Sequence, residues 1–303
     1  MKTTKTLWRV SVATTPEAED AVSELLGAVL SETVSSYHNL KTGVTVVTAY
    51  GAHKPVPSAE CQAKIRAGLI QISKCGLNLG AGRITVANVR REDWAESWKR
   101  HFKPIEIEDA LLIKPSWSRK RARKNQPVVI LDPGLSFGTG QHPTTMFCLR
   151  EVVKCGKKRA LWSFLDIGTG SGILAISAVK LGASPVRAFD FDPESVRVAR
   201  ANARANGVFN QMKIVRGDAM KLPFHPVRQY DLVCANLISP LLIAARRRIV
   251  AQLHPGGTLV LAGILKSEFR ELQEIFSQLG LKLAAKKAEN EWCSGSFCFA
   301  KDF

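Results

Sequence analysis

Residues 165–172 read LDIGTGSG, and the fold turns on how they are taken. Upstream lies an apolar run, SFLDIG. Downstream lies SGILAISAVKLGA, which has a helical period. A strand that turns through glycines into a helix lets backbone approach a ligand closely and aims a helix N-terminus at it. The pattern then repeats. PVRAFDFD is a strand, and PESVRVARANARANG is a helix closed by Gly207. MKIVRGD is a third strand and YDLVCANL a fourth. SPLLIAARRRIVAQL is a helix, GGTLVLAGIL a fifth strand, and a helix over 266–279 and two final strands follow. Strands alternating with helices predict a parallel, doubly wound α/β sheet of Rossmann type.

Residues upstream of 91 have a different rhythm. TLWRVSVA (6–13) alternates as a strand. A helix is expected over 15–30, with Thr15 as N-cap and Pro16 in the first turn. Strands at 32–37 and 43–49, a helix at 57–76 and a strand at 83–89 complete a βαββαβ order, which predicts a small ferredoxin-like α+β domain. The expected boundaries are 1–90 for this domain, 91–126 for a linker helix and basic loop, and 127–303 for the α/β domain. Residues 92–103 (EDWAESWKRHFK) predict a helix with Trp94 and Trp98 on one face. PVVILD (127–132) predicts a strand ahead of a second glycine-rich stretch, LDPGLSFGTGQHPTT (131–145).

Composition excludes several classes. No apolar run is long enough to span a membrane, and the N-terminus has no signal-peptide pattern. The seven cysteines are scattered without a Cys-x-x-Cys spacing. No metal site is therefore expected, Cys293 and Cys298 are expected to be ordinary strand residues, and a reducing cytoplasm fits. The net charge of +17 is distributed along the whole chain. Residues 119–124 hold five cations around Ala122: a solvated loop by default, a contact to RNA phosphate as the sharper alternative.

The chemistry is predicted at the strand ends. Gly168, Gly170 and Gly172 are spaced G-x-G-x-G, and Asp190 lies 22 residues after Gly168 at the end of the second strand, where a carboxylate can hold both ribose hydroxyls. A dinucleotide and S-adenosylmethionine both fit such a site. The third glycine comes one residue early for the dinucleotide fingerprint, and Asp166 at the head of the motif suits the methyltransferase version. Asp218 either reaches an adenine amine or caps its own turn. Asn236 closes the fourth strand, where its amide oxygen can accept a hydrogen bond from an incoming amine. Asn236-Leu237-Ile238-Ser239 resembles the N/D-P-P-Y motif of methyltransferases acting on nitrogen, without its aromatic residue, which favours a chain amine over a nucleobase. His142 is expected to be structural in a His-Pro turn; the alternative is a general base. The first glycine stretch lacks the Gly-Lys-Ser/Thr of a phosphate loop.

LDPGLSFGTGQHPTT closely resembles the signature of the bacterial methyltransferases of the eleventh large-subunit ribosomal protein. EDWAESWKRHFKPIEI, IKPSW, DIGTGSGILAISAVKLGA, FDFDPESV, CANLISPLL and ENEWCSG are similar to the same family, with Gln141 standing where the family has Thr. The resemblance covers 90–303 in residues and the N-terminal domain in pattern. It implies an S-adenosylmethionine-dependent protein N-methyltransferase acting on lysine side chains and the N-terminal amine of that ribosomal protein. By position it implies cofactor contacts from Thr145, Phe137, Gly168, Gly170, Asp190, Asp218 and Asn236, with Asn236 also catalytic. The small domain would hold the protein substrate. A monomer in the cytoplasm is expected, with weak RNA contact through the basic surface. The alternatives are RNA methylation, or lysine methylation of another protein.

Overall fold

The computed structural model describes residues 6–30, 32, 34–39, 43–51, 58–90, 103–132 and 142–300. Its internal contacts divide the chain into two compact units, 1–101 and 102–303. The helix expected over 92–103 and the Trp94/Trp98 face lie outside the described residues, apart from Lys103.

The first unit is a four-stranded antiparallel sheet carrying two helices. The strands are β1 (Thr6–Thr14), β2 (Val34–Asn39), β3 (Val44–Gly51) and β4 (Arg83–Arg90), in the order β2-β3-β1-β4. With helices α1 (Glu19–Leu30) and α2 (Ala59–Lys74), this is the ferredoxin-like order. Val10, Val12 and Val47 from the sheet meet Val22, Leu26, Ile65 and Leu69 from the helices in one core. Ser58 caps α2, its side chain accepting from the Cys61 N–H. Thr15 does not cap: its hydroxyl donates instead to the Asn78 carbonyl at 2.5 Å, and a short 3₁₀ turn over Pro16–Ala18 leads into α1. Competition from a tertiary carbonyl has overridden the local capping preference.

The second unit holds two sheets. The larger has seven strands: β8 (Phe164–Ile167), β9 (Val186–Asp190), β10 (Met212–Arg216), β11 (Tyr230–Asn236), β12 (Leu253–Leu265), β13 (Leu281–Glu289) and β14 (Trp292–Phe299). Their order is β10-β9-β8-β11-β12-β14-β13. The first five are mutually parallel; β14 runs antiparallel to both β12 and β13. Helices α3 (Pro143–Lys158), α4 (Ile173–Lys180) and α5 (Pro193–Ala205) supply one face's core, and α6 (Ser239–Ala251) and α7 (Phe269–Ser277) the other. Burial on both faces explains why Phe164–Ile167, apart from Asp166, and residues 232–235 are apolar without alternation. Cys293 and Cys298 have opposite parity on β14, so their side chains point to opposite faces.

Residues 103–126, expected to be linker, carry two strands instead. β5 (Ile105–Ile107), β6 (Leu111–Lys114) and β7 (Val128–Ile130) form a separate sheet, so PVVILD is a strand but not one of the large sheet. Ile107, Leu111, Ile113 and Val129 join the core beneath α3 and α4. Asn206, just past α5, fastens β7: its side chain accepts from the Ile130 N–H at 2.8 Å and donates to the Ile130 carbonyl at 2.7 Å. The 119–124 loop is exposed but tethered. Lys120 pairs with Glu106 at 2.6 Å, Arg123 with Asp109, and Lys114 donates to the Lys120 carbonyl at 2.7 Å. Among the described residues, no helix is long and apolar enough to cross a membrane.

Candidate functional site

The parallel strands end together. Ile167 lies beside Phe189, Asp190 beside Arg216, and Asn236 beside Ala262, so the loops after β8, β9, β10 and β11 share one rim. That is the rim where an open α/β sheet binds its ligand.

At its centre is the 168–172 turn. Gly168, Gly170 and Gly172 have φ of 76°, 52° and 81°, a region that L side chains rarely enter. Space is short as well. A Cβ at Gly168 would lie 2.5 Å from Leu237 Cδ2, and one at Gly172 would lie 3.1 Å from Ala199 Cβ. Asn202 pins the turn by donating to the Ser171 carbonyl at 2.8 Å.

The amides of this turn are occupied. Gly168 and Thr169 N–H both donate to the Phe189 carbonyl at 3.0 Å, and Gly172 N–H donates to the Thr169 carbonyl at 2.8 Å. Gly170 N–H donates to Asp190 Oδ2 at 2.8 Å. A dinucleotide site keeps such amides free for pyrophosphate. Here they are spent internally, and what the rim offers is a carboxylate and apolar walls, which suits a cofactor without phosphates.

Asp166 sits beneath. It is fully buried, and its Oδ2 accepts from the Thr169 hydroxyl at 2.7 Å. Burial is the main cause that pushes its pKa up from 3.8 to about 7, with the Asp190 charge adding to it; Thr169 and the Ala175 amide work against the rise. Asp190 Oδ1 also accepts from Asp192 N–H at 3.1 Å, which fixes the carboxylate in its turn.

Asn236 ends β11 against the same turn. Its backbone oxygen would lie 3.7 Å from a Cβ at Gly168. On its other side stands Gly263, with φ of 82°, where a Cβ would meet the Leu237 carbonyl at 2.6 Å and Asn236 Oδ1 at 3.1 Å. The Asn236–Leu237 corner is thus held between two glycines, one in the turn after β8 and one in β12. Gly263 was not anticipated from sequence; its only signal there was a glycine inside a strand pattern.

Asp218 follows β10, and its Oδ1 accepts from the Met220 N–H at 2.8 Å, capping its own 3₁₀ turn. Thr145 lies in the first turn of α3, buried, and its hydroxyl has no partner among the described residues. Since α3 leads into β8, its amino end lies at the carboxyl rim. His142 just before it rests edge-on against Trp292, with ring centroids 5.1 Å apart, and Nδ1 is 2.7 Å from Thr144 Oγ1. Burial lowers the His142 pKa, opposed by Glu291. Phe137 and the rest of 133–141 lie outside the described residues. Three further side chains on this rim went unread in the sequence: Phe191, Met220 and Ile238. These large apolar groups are 67%, 42% and 65% exposed beyond β9, β10 and β11.

The fit to the cofactor rests on these features: an unpartnered buried hydroxyl, a left-handed glycine turn crowded at Gly168 and Gly172, a fixed carboxylate, and exposed apolar groups flanking it. Together with the seven-stranded order and its reversed β14, they define a class I S-adenosylmethionine-dependent methyltransferase. The family model for ribosomal protein L11 methyltransferases (PrmA) matches residues 6–298. The Caldicellulosiruptor saccharolyticus ribosomal protein L11 methyltransferase is 35% identical over 303 aligned residues, covering 94% of this chain and 97% of its own length. That of Geobacter metallireducens is 41% identical over 208 residues, covering 69% and 67%. Among solved structures, the ribosomal protein L11 methylase of Lactobacillus delbrueckii subsp. bulgaricus has a TM-score of 0.56 at 28% identity, covering 65% of this chain and 98% of its own. The chain belongs to the ribosomal protein L11 methyltransferase family; it is an enzyme and its cofactor is S-adenosylmethionine.

Proposed function

We propose that this enzyme methylates amines of ribosomal protein L11, on lysine side chains and at the N-terminal α-amine, with Asn236 orienting the acceptor. The observation that carries this reading is the corner at Asn236–Leu237, held between Gly168 and Gly263 at the carboxyl rim, beside the turn that Asp190 fixes. When bound, S-adenosylmethionine supplies an electrophilic methyl on a sulfonium.

Asp190 holds the ribose, the Gly168–Gly170 turn gives the close backbone approach, and Thr145 offers its buried hydroxyl. Phe137 covers the cofactor from the first glycine stretch, and Asp218 stands by the adenine. The acceptor must arrive as a neutral amine, because an ammonium has no lone pair. A free lysine has a pKa of about 10.4. Desolvation at the apolar rim lowers that value, so water suffices to take the proton. Asn236 accepts a hydrogen bond from the amine and aims its lone pair, a positioning effect rather than proton transfer. His142 packs on Trp292 and serves structurally.

In this reading residues 1–90 hold the protein substrate, and the second unit, which includes the strands at 105–107 and 111–114, performs transfer, in a monomer working beside ribosomes in the cytoplasm. The N-terminal plait shows no cluster of chemistry-bearing residues among those described, which leaves it a recognition role. The test is mass spectrometry after incubation with methyl-labelled cofactor and either free L11 or ribosomal RNA. Label on L11 lysines or its N-terminus is expected. Label in RNA, or on another protein with L11 left bare, overturns the proposal.

A further inference from the structure

Bordering the rim at Asp190, an open cleft of about 370 Å³ runs between α5 and the sheet's free edge at β10. It is lined by Pro193, Val196, Arg197, Arg200, Arg204 and Arg216. Arg197, Arg200 and Arg204 are spaced i, i+3, i+7 and so share one helix face. From Arg197 to Arg204 that face spans about 10 Å.

Only part of this charge is used. Arg197 pairs with Glu194 through two contacts of 2.5 and 2.7 Å. Asp192 caps α5 and lies near enough to Arg216 to feel its charge. Neither Arg200 nor Arg204 has a carboxylate partner among the described residues. Four guanidiniums thus face two carboxylates. Arg200 donates to the Ile214 carbonyl at 2.8 and 3.1 Å, which guards the edge strand against pairing with another chain. Arg216 likewise donates to the Phe191 carbonyl at 3.2 Å, but a carbonyl does not neutralise a guanidinium, so the cleft keeps a net positive charge.

Aromatic rings sit at both ends. Arg204 lies over Phe209, 4.2 Å from the ring centroid, and Arg216 lies over Phe191 at 5.7 Å. Phe191 is largely exposed, Phe209 half-buried. Planar donors matched to phosphate, with an exposed ring for a base to stack on, form the pattern of a single-stranded nucleic-acid groove. An acidic peptide would use the guanidiniums but has nothing to stack on Phe191. The +17 net charge favours a polyanion in either case.

We propose that the cleft between α5 and β10 binds the backbone of single-stranded RNA, with Arg197, Arg200, Arg204 and Arg216 on phosphates and Phe191 against a base. This holds whichever amine the enzyme methylates. The chain then docks on a ribonucleoprotein through a face that adjoins the Asp190 end of the cofactor rim, with Phe191 on the border.

The test is fluorescence anisotropy of a labelled twelve-nucleotide oligouridine with the full chain, over a range of salt. Four phosphate contacts predict that log K falls against log salt with a slope near −3, at about 0.7 per contact. The double variant Arg197→Gln/Arg204→Gln should flatten that slope by roughly 1.4 and weaken binding about tenfold at low salt. Glu194→Gln frees Arg197 and should tighten binding several-fold, a gain that misfolding cannot produce. Neutralising Arg119, Arg121 and Lys124 in the other basic loop should leave the slope unchanged. The proposal is overturned if the wild type shows no salt-dependent binding, or if the double variant keeps the full slope. Displacement by polyglutamate as effective, charge for charge, as by unlabelled oligouridine also overturns it.

Discussion

The four-stranded and seven-stranded sheets are made from much the same residues, Val, Ile, Leu and Ala, yet among the described residues only the second gathers a candidate site. The difference is strand direction. In the N-terminal sheet every neighbour is antiparallel, so the end of β1 at Thr14 lies beside the start of β3 at Thr45, and Ala13 beside the start of β4 at Arg83. Loops of unlike kind alternate along each border. In the second unit β8, β9, β10 and β11 end together, and Gly168, Asp190, Asp218 and Asn236 follow on one rim. Parallel pairing concentrates loops; antiparallel pairing disperses them. Concentration also buries charge. The fully buried carboxyl among the described residues, Asp166, belongs to the parallel sheet.

That contrast can be broken in five ways. The largest effect is expected from Asp166. Its folded pKa of about 7 lies above the unfolded 3.8, so the folded state binds the extra proton between those values. Stability should therefore fall as pH rises from about 4 to about 7, by at most roughly 4 kcal/mol, and level off above. Asp166→Asn should flatten this profile in denaturant titrations; an unchanged profile would mean Asp166 is charged in the fold.

Gly168→Ala should weaken cofactor binding at least 100-fold, or about 3 kcal/mol by calorimetry, through left-handed strain and the clash with Leu237. Leu26→Ala in the N-terminal core should destabilise that unit by about 3 kcal/mol in thermal unfolding. Its cofactor affinity should stay at the wild-type value, and a parallel loss would show that the two units are energetically linked. Asn236→Ala should lower kcat by about 30-fold, roughly 2 kcal/mol, while cofactor affinity moves little; an equal loss in affinity would make Asn236 a binding residue only. The smallest effect belongs to Thr145→Val. Removing an unpartnered buried hydroxyl should stabilise the cofactor-free enzyme by about 1 kcal/mol yet weaken cofactor binding about fivefold. A variant that gains stability without losing affinity would take Thr145 out of the site.

The sequence was most legible where local pattern and tertiary role coincide. FLDIG and DLVCAN read as strands because burial on both faces favours apolar runs, broken inside only by Asp166, while VRAFD shows one exposed break at Arg187. The Gly168–Gly172 turn stood out because its backbone tolerates little else. What stayed hidden depends on partners far along the chain. Strands of three and four residues at 105–107 and 111–114 are too short to show a period, and the separate sheet that β7 joins is secured by Asn206, 76 positions from Ile130. Thr15 offered a sound capping signal, but the Asn78 carbonyl takes its hydroxyl. Gly263 looked like a weak spot in a strand, and only the neighbouring corner reveals what it makes room for.

Gly263 also bears on how the enzyme could be re-engineered. With glycine pressed against the Asn236–Leu237 corner from both sides, the mould is rigid on two walls and open on the third, where Ile238 faces solvent. A library built to accept a different nucleophile should therefore vary Ile238 freely. Changes at 263 would shift the corner itself, and with it the amide by which Asn236 is proposed to aim the acceptor.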